Sequence, residues 1–342
     1  MILIIGLLII ACVLLWGYKV SSKRYYQGPV SDHFDGKRFF YPNAPKHGFK
    51  QLFKWRTTRQ PTPWPEFVPV AQVKPSALVD DKELRITYVN HSTWLIQWGS
   101  LNMLTDPVWS ERVSPFKRVG PKRVHAPAVR LEDLPPIHVI LLSHNHYDHL
   151  DIETLKKLNN VHHPLIVTGL GNRPLLASVG LEKVIECDWW DKVEIQDGYN
   201  IVYTPAQHFS ARNLFDRDKA LWGGFAVQKG EDVVYFAGDT AYCEVFKQVH
   251  ERLGHPRLAF LPIGAYEPFW FMEPAHMSPS QALQAHLDLG AHSSVAMHHG
   301  TFPLSDEGID DPCVELCKEI RERNIPETDF RILAPGDILQ VP

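Results

Sequence analysis

Cysteine is scarce in this 342-residue chain: there are five (Cys12, Cys187, Cys243, Cys313, Cys317), an odd number with no CxxC pair. That excludes a disulfide framework and a cysteine zinc ribbon, and thiols that need no oxidising compartment fit a cytosolic domain. An excess of one charge is also lacking, with 35 basic against 39 acidic side chains and a net charge of −4. No global field gathers nucleic acid, and nucleic acid is set aside as a partner. Short repeats and low-complexity tracts are absent, and no shift of composition after residue 84 cuts a second domain. What is present, 44% hydrophobic and 22% charged residues, is the composition of a folded chain with a substantial core. Histidine is abundant, at eighteen residues.

Long apolar runs are limited to one. Ile2 to Tyr18 carries no charge, and as a helix at about 1.5 Å per residue it reaches roughly 26 Å against a hydrocarbon core of about 30 Å. Lys19, Lys23 and Arg24 all follow it, so the positive-inside bias predicts a single-pass inner-membrane anchor over residues 1–18 with the remainder in the cytoplasm. Ile9-Ile10-Ala11-Cys12 resembles a lipoprotein processing signal, so anchor and lipoprotein signal stay open as alternatives.

Residues 19–83 are rich in Pro and aromatics, as in Phe39-Phe40-Tyr41-Pro42 and Gln60-Pro61-Thr62-Pro63-Trp64-Pro65, with neither a helical nor a strand period. So many bulky rings need burial, and the segment reads as an extended arm packed on a domain rather than a free linker. From residue 84 to 342 short β-rich runs (Leu84 to Val89, Trp94 to Trp98, Leu101 to Leu104, His138 to Leu142, Leu165 to Thr168, and others) interleave with helical stretches such as Val245 to Leu253 and Pro279 to Leu289. The class predicted is α/β.

The strongest signal is Ser143-His144-Asn145-His146-Tyr147-Asp148-His149-Leu150-Asp151, directly after the apolar run Val139 to Leu142. In extended chain His144 and His146 project to one side, and a turn at Tyr147 swings Asp148 and His149 toward a second point, so one loop serves two cations. Imidazole and carboxylate without thiolate suit zinc foremost, with iron or manganese also accommodated. A loop whose histidines merely satisfied backbone groups would incur desolvation and like-charge repulsion without compensation. Further candidates, His208, Asp239 and His298, each follow an apolar run. Taken singly they read as an ordinary turn aspartate and satisfied core histidines.

Their order changes that. HxHxDH, a distant His, Gly-Asp-Thr and a late His at a strand end resemble the metallo-β-lactamase superfamily. The strings Leu104-Thr105-Asp106-Pro107, Asp188-Trp189-Trp190, Thr204-Pro205-Ala206-Gln207-His208, Phe236-Ala237-Gly238-Asp239-Thr240 and His298-His299-Gly300-Thr301-Phe302 resemble its N-acylphosphatidylethanolamine-hydrolysing phospholipase D family. The resemblance implies a four-layered αββα sandwich and two Zn(II) ions per chain. It assigns His144, His146 and His208 to one metal, Asp148, His149 and His298 to the other, and Asp239 as the bridge. His298 is preferred to His299 because the family places its ligand directly before x-Gly-Thr-Phe. By the same resemblance Asp106 and Asp151 orient ligand imidazoles, and His276 lies near the metal-bound water. Asp148, Asp239 and His276 are thus the catalytic candidates.

The chemistry so implied is attack on phosphorus by a bridging hydroxide, with a metal or a protonated His276 meeting the negative charge on the departing oxygen. The substrate is a membrane phospholipid, N-acylphosphatidylethanolamine, cut to N-acylethanolamine and phosphatidic acid. Another lipid phosphodiester, or an ester or lactone, remains the alternative. Trp189, Trp190, Phe209, Trp222, Phe269, Trp270 and Phe271 are candidates to line an acyl-chain cleft, although singly each reads first as core packing. Lys122 and Arg123 are candidates to meet anionic head groups. The sequence leaves the oligomeric state open, a homodimer included.

Overall fold

The computed structural model describes residues 25–77 and 79–342. Two seven-stranded sheets form the frame. The first comprises β1 (Leu84–Asn90), β2 (Thr93–Trp98), β3 (Leu101–Thr105), β4 (Val139–Leu142), β5 (Leu165–Gly169), β6 (Val184–Cys187) and the last strand of the chain, β14 (Ile338–Val341), in the order β14-β1-β2-β3-β4-β5-β6. The second comprises β7 (Lys192–Glu194), β8 (Tyr199–Thr204), β9 (Gly224–Lys229), β10 (Asp232–Phe236), β11 (Leu258–Pro262), β12 (Ser294–Met297) and β13 (Phe330–Arg331), in the order β13 back to β7. Each sheet is mixed: β3-β4-β5-β6 and β10-β11-β12-β13 are parallel, the remaining pairs antiparallel. The helices are α1 (Phe49–Thr58), α2 (Ile152–His162), α3 (Arg173–Ala177), α4 (Val245–Leu253), α5 (Phe269–Met272), α6 (Pro279–Leu289) and α7 (Asp311–Glu322).

The layering follows from side-chain alternation. In β4 Val139 and Leu141 join the main core with Tyr88, Trp94, Trp98, Tyr203, Phe225 and Phe236 of both sheets. Ile140 and Leu142, on the opposite face, pack with Leu155 and Leu158 of α2 and Leu176 of α3. Helices α4, α6 and α7 supply Phe246, Leu283 and Leu316 to the other side of the second sheet. The result is helix, sheet, sheet, helix, and a strand buried on both faces reads as the unbroken apolar run Val-Ile-Leu-Leu. Each such side chain contributes about 1.5–3 kcal/mol by leaving water. Local signals agree: Ser278 and Gln281 form a capping box at the start of α6, and Gly290 ends that helix in the left-handed region.

The structure corrects several expectations. Residues 49–58 of the Pro/aromatic segment form α1, although no apolar period announces it, because only Trp55 is buried and Phe49, Leu52 and Phe53 face outward. Elsewhere in the segment Phe34 and Phe39 enter the main core. The strands β6, β7, β13 and β14, two to four residues long, are too short to show a period. Against the expected single-pass anchor and inner-membrane placement, no helix among the described residues is long and apolar enough to cross a membrane. The segment Ile2 to Tyr18 itself lies outside the described residues.

Candidate metal centre

Five strand ends and the turns beyond them meet at one edge of the paired sheets. The Ser143–Asp151 loop leaves the buried β4, and its turn is closed by His149 N and Leu150 N donating to the His146 carbonyl at 3.2 and 2.8 Å. Asp106 follows β3, His208 lies beyond β8, Asp239 beyond β10 and His298 directly after β12. His298 is held at φ 61°, a left-handed conformation that costs a non-glycine residue of order 1–3 kcal/mol. Its carbonyl is passed so closely by Gly264 that a Cβ there would collide with it.

Two groups result. In the first, His146 Nδ1 lies 2.9 Å from His144 Nε2 and 3.2 Å from His208 Nε2. In the second, Asp148 Oδ2 lies 3.5 Å from His149 Nε2 and 3.6 Å from His298 Nε2. Asp239 stands between them, its Oδ2 at 3.0 Å from His298, 3.2 Å from His149, 3.7 Å from His208 and 4.0 Å from His144. Tautomers are fixed from outside. His208 Nδ1 donates to the Ala275 carbonyl at 2.8 Å, and His149 Nδ1 donates to Asp106 Oδ2 at 2.7 Å. Asp106 is itself held by Ser143 N and Oγ. Each Nε2 therefore faces inward, the arrangement by which outer partners aim metal ligands.

The residues fit metal ions. His149 Nε2, His298 Nε2 and Asp239 Oδ1 are buried without a hydrogen-bond partner, a cost of about 1–3 kcal/mol each unless something coordinates them. Donor atoms at about 2.0–2.2 Å from a tetrahedral ion are roughly 3.3–3.6 Å apart; the Asp148 separations of 3.5 and 3.6 Å lie in that range and the Asp239 separations of 3.0 and 3.2 Å just below it.

Electrostatics point the same way. Burial pushes His144 and His208 well below the usual imidazole range, with neighbouring imidazoles adding to the effect, and brings His146 down to about 4. At His298 burial is outweighed by Asp239 and Asp148, which raise it to about 9; at His149 burial is likewise outweighed by Asp239, Asp148 and Asp106, which hold it well above the usual imidazole range. Asp148 and Asp239 lie well below the carboxylate range, because these imidazoles overcome the burial that would raise them. A cation replaces those protons.

Other residues divide. His276 closes over the centre, its ring 5.0 Å from that of His208 and 5.5 Å from that of His298. Burial brings it down to about 4, which favours the neutral ring. His299 turns away, with Nδ1 3.3 Å from Cys313 Sγ. Asp151 orients no imidazole: it caps α2 and accepts from Trp109 N and Ser110 N. Arg123 is buried and donates to the carbonyls of Ser110 and Val108, so it is closed to a head group; Lys122 is exposed and pairs with Glu111.

Of the aromatics, Phe209 packs on His146 and His208, whereas Trp222 is core. Trp189 stacks on His33, Trp190 on Arg252 and Phe271 on Trp55. Phe269 and Trp270 are exposed. An open groove of about 1240 Å³ runs beside the ligand loop, lined by Phe116, Tyr147, Ile152, Leu175 and Leu214 among others, and none of the seven ligand candidates lines it.

Sequence reasoning passed over His91. It sits in the turn between β1 and β2 and joins Asp148, His149 and His298 in one group of donor atoms. Its only signal was its place after the apolar run Leu84 to Val89.

Residues 101–299 match the family model described as the beta-lactamase superfamily domain. The chain is 35% identical over 285 residues to N-acyl-phosphatidylethanolamine-hydrolyzing phospholipase D 1 of Caenorhabditis elegans, covering 79% of this chain and 80% of that one. It is 36% identical over 238 residues to the mitochondrial N-acyl-phosphatidylethanolamine-hydrolyzing phospholipase D of Saccharomyces cerevisiae, covering 66% of this chain and 51% of that one. Among solved structures, the isothiocyanate hydrolase from Delia radicum gut bacteria superposes with a TM-score of 0.58 at 23% identity, over 75% of this chain and 98% of that one, a likeness of fold. The chain is a metal-dependent hydrolase of the metallo-β-lactamase superfamily and belongs to its N-acylphosphatidylethanolamine-hydrolysing phospholipase D family.

Proposed function

We propose that this chain is a two-zinc phosphodiesterase that cuts N-acylphosphatidylethanolamine-type phospholipids into N-acylethanolamine and phosphatidic acid. The observation that carries the reading is Asp239, whose single carboxylate oxygen faces four imidazoles from both donor groups. The names of the nematode and yeast relatives support the substrate class.

His144, His146 and His208 would hold one zinc and Asp148, His149 and His298 the other, with Asp239 shared. Bound there, a zinc pair supplies Lewis-acid charge that activates water and neutralises phosphoryl oxygens. The chain's own groups do the rest. Asp106 keeps His149 in the tautomer that points Nε2 inward, and the Ala275 carbonyl does so for His208. His276, neutral, offers a ring N–H as hydrogen-bond donor to the departing alkoxide oxygen. Phe209, packed edge-on against His146 and tilted against His208, excludes water from that side of the centre. The groove beside Tyr147 takes an acyl chain: its wall is mostly apolar, and it begins one residue from Asp148.

The test is incubation of zinc-loaded protein with a phospholipid panel and mass spectrometry of the products. N-acylethanolamine with intact diacyl phosphatidic acid supports the reading. Free fatty acid as the main product replaces it with an esterase.

A further inference from the structure

We propose that His91 is a positioning residue of the Asp148 half-site, holding that carboxylate in place through a hydrogen bond from Nε2. The inference rests on the two-zinc reading above and concerns a residue outside the seven ligands.

Three imidazoles face Asp148 Oδ2. Two belong to the ligand candidates His149 and His298; the third is His91, with Nε2 at 3.3 Å, the shortest of the three separations. A ligand carboxylate left to its neighbours alone would rotate about its side-chain bonds, and an outer donor on the coordinating oxygen limits that freedom. The backbone of His91 ties in the other ligand of the same half-site: its carbonyl accepts from His298 N at 3.0 Å and its N–H donates to Thr301 Oγ1 at 2.9 Å. One residue thus fixes Asp148 by its ring and His298 by its main chain.

The local conformation argues for a chemical reason to have histidine there. His91 and Ser92 form the two-residue turn closed by the Asn90–Thr93 pair, and His91 has φ 45°. Glycine is the residue such a first turn position favours, and a histidine held there carries strain. Its ring is buried, edge-on to Phe302, and its Nδ1 has no partner. The one ring proton therefore belongs on Nε2, against the carboxylate.

The experiment compares wild type, His91→Phe and His91→Gln. Phe keeps the ring that packs on Phe302 but has no donor; the Gln amide nitrogen reaches the place of Nε2. Zinc affinities are measured by chelator competition at fixed pH, with circular dichroism to confirm the fold. The expected result is a loss of about 10–100-fold at one of two zinc sites in the Phe variant, the other site unchanged. The Gln variant stays within about threefold of wild type. Equal affinities in all three proteins overturn the proposal, as does an equal loss in both variants, which marks His91 as a ligand or as packing. Fewer than two zinc ions in the wild type would instead sink the two-metal reading on which it stands.

Discussion

Asp239→Asn removes a charge and almost no volume. In the metal-free chain Asp239 Oδ2 is buried 3.0 Å from His298 Nε2 and 3.2 Å from His149 Nε2. Taking one partner from a buried pair costs about 3–5 kcal/mol. A second route gives a similar figure: His298, against burial, is raised to about 9 chiefly by Asp239, and shedding that proton at pH 7 costs about 3 kcal/mol at 1.36 per pH unit. The sign follows from linkage. A histidine raised above its unfolded value of about 6.5 stabilises fully below pH 6.5, and the contribution fades as pH rises through 9. Asp239, held below the usual carboxylate range, loses its contribution only in acid. The gap between wild type and variant is therefore widest between about pH 5 and 6.5 and closes toward pH 10. Thermal unfolding of chelator-treated protein across this range should show roughly 6–10 °C at the widest point, at about 2 °C per kcal/mol. Zinc-loaded turnover should fall by more than the roughly 10–100-fold typical of losing an outer partner. A flat difference across pH, together with turnover within threefold of wild type, would refute the shared role of Asp239.

Zinc uptake near pH 7 should release about two protons per chain, because His149 and His298 are raised while metal-free and must lose their protons to bind. Affinity should accordingly rise with pH between 6.5 and 8; an indicator titration with no proton release would contradict this. Asp106→Ala should weaken zinc binding by roughly 10–100-fold by freeing His149 Nδ1, measured by chelator competition, and unchanged affinity would remove Asp106 from its role. Arg123→Met should destabilise by about 1–3 kcal/mol by leaving the Ser110 carbonyl without its donor and the Val108 carbonyl with Asn90 Nδ2 alone, with KM for anionic lipid unchanged. A raised KM without loss of stability would restore Arg123 to the head group.

The convergence of the seven ligand candidates was legible because their segments follow runs of apolar residues, and a buried strand end is where a sheet can present polar atoms to one point. The inner strands were legible for the same reason: Val139 to Leu142 is buried on both faces and needs no alternation to be seen. What failed depends on partners that sequence spacing does not name. Asp151 looked like an outer carboxylate of the metal loop but lies one residue before α2, whose N-terminal N–H groups and neighbours claim it. Arg123, beside Lys122 in a loop, is drawn inward by three main-chain carbonyls. His91 was hidden by a two-residue turn, and α1 by an apolar side that faces outward. Edge strands such as β7, Lys-Val-Glu, owe their form to pairing with β8 rather than to their own residues.

Hydrolysis of N-acylphosphatidylethanolamine in ¹⁸O-labelled water by zinc-loaded protein tests the central claim most directly. Attack on phosphorus places one labelled oxygen in phosphatidic acid and none in the N-acylethanolamine. Label in the ethanolamide, or fatty acid as the labelled product, would contradict a phosphodiesterase built around Asp239.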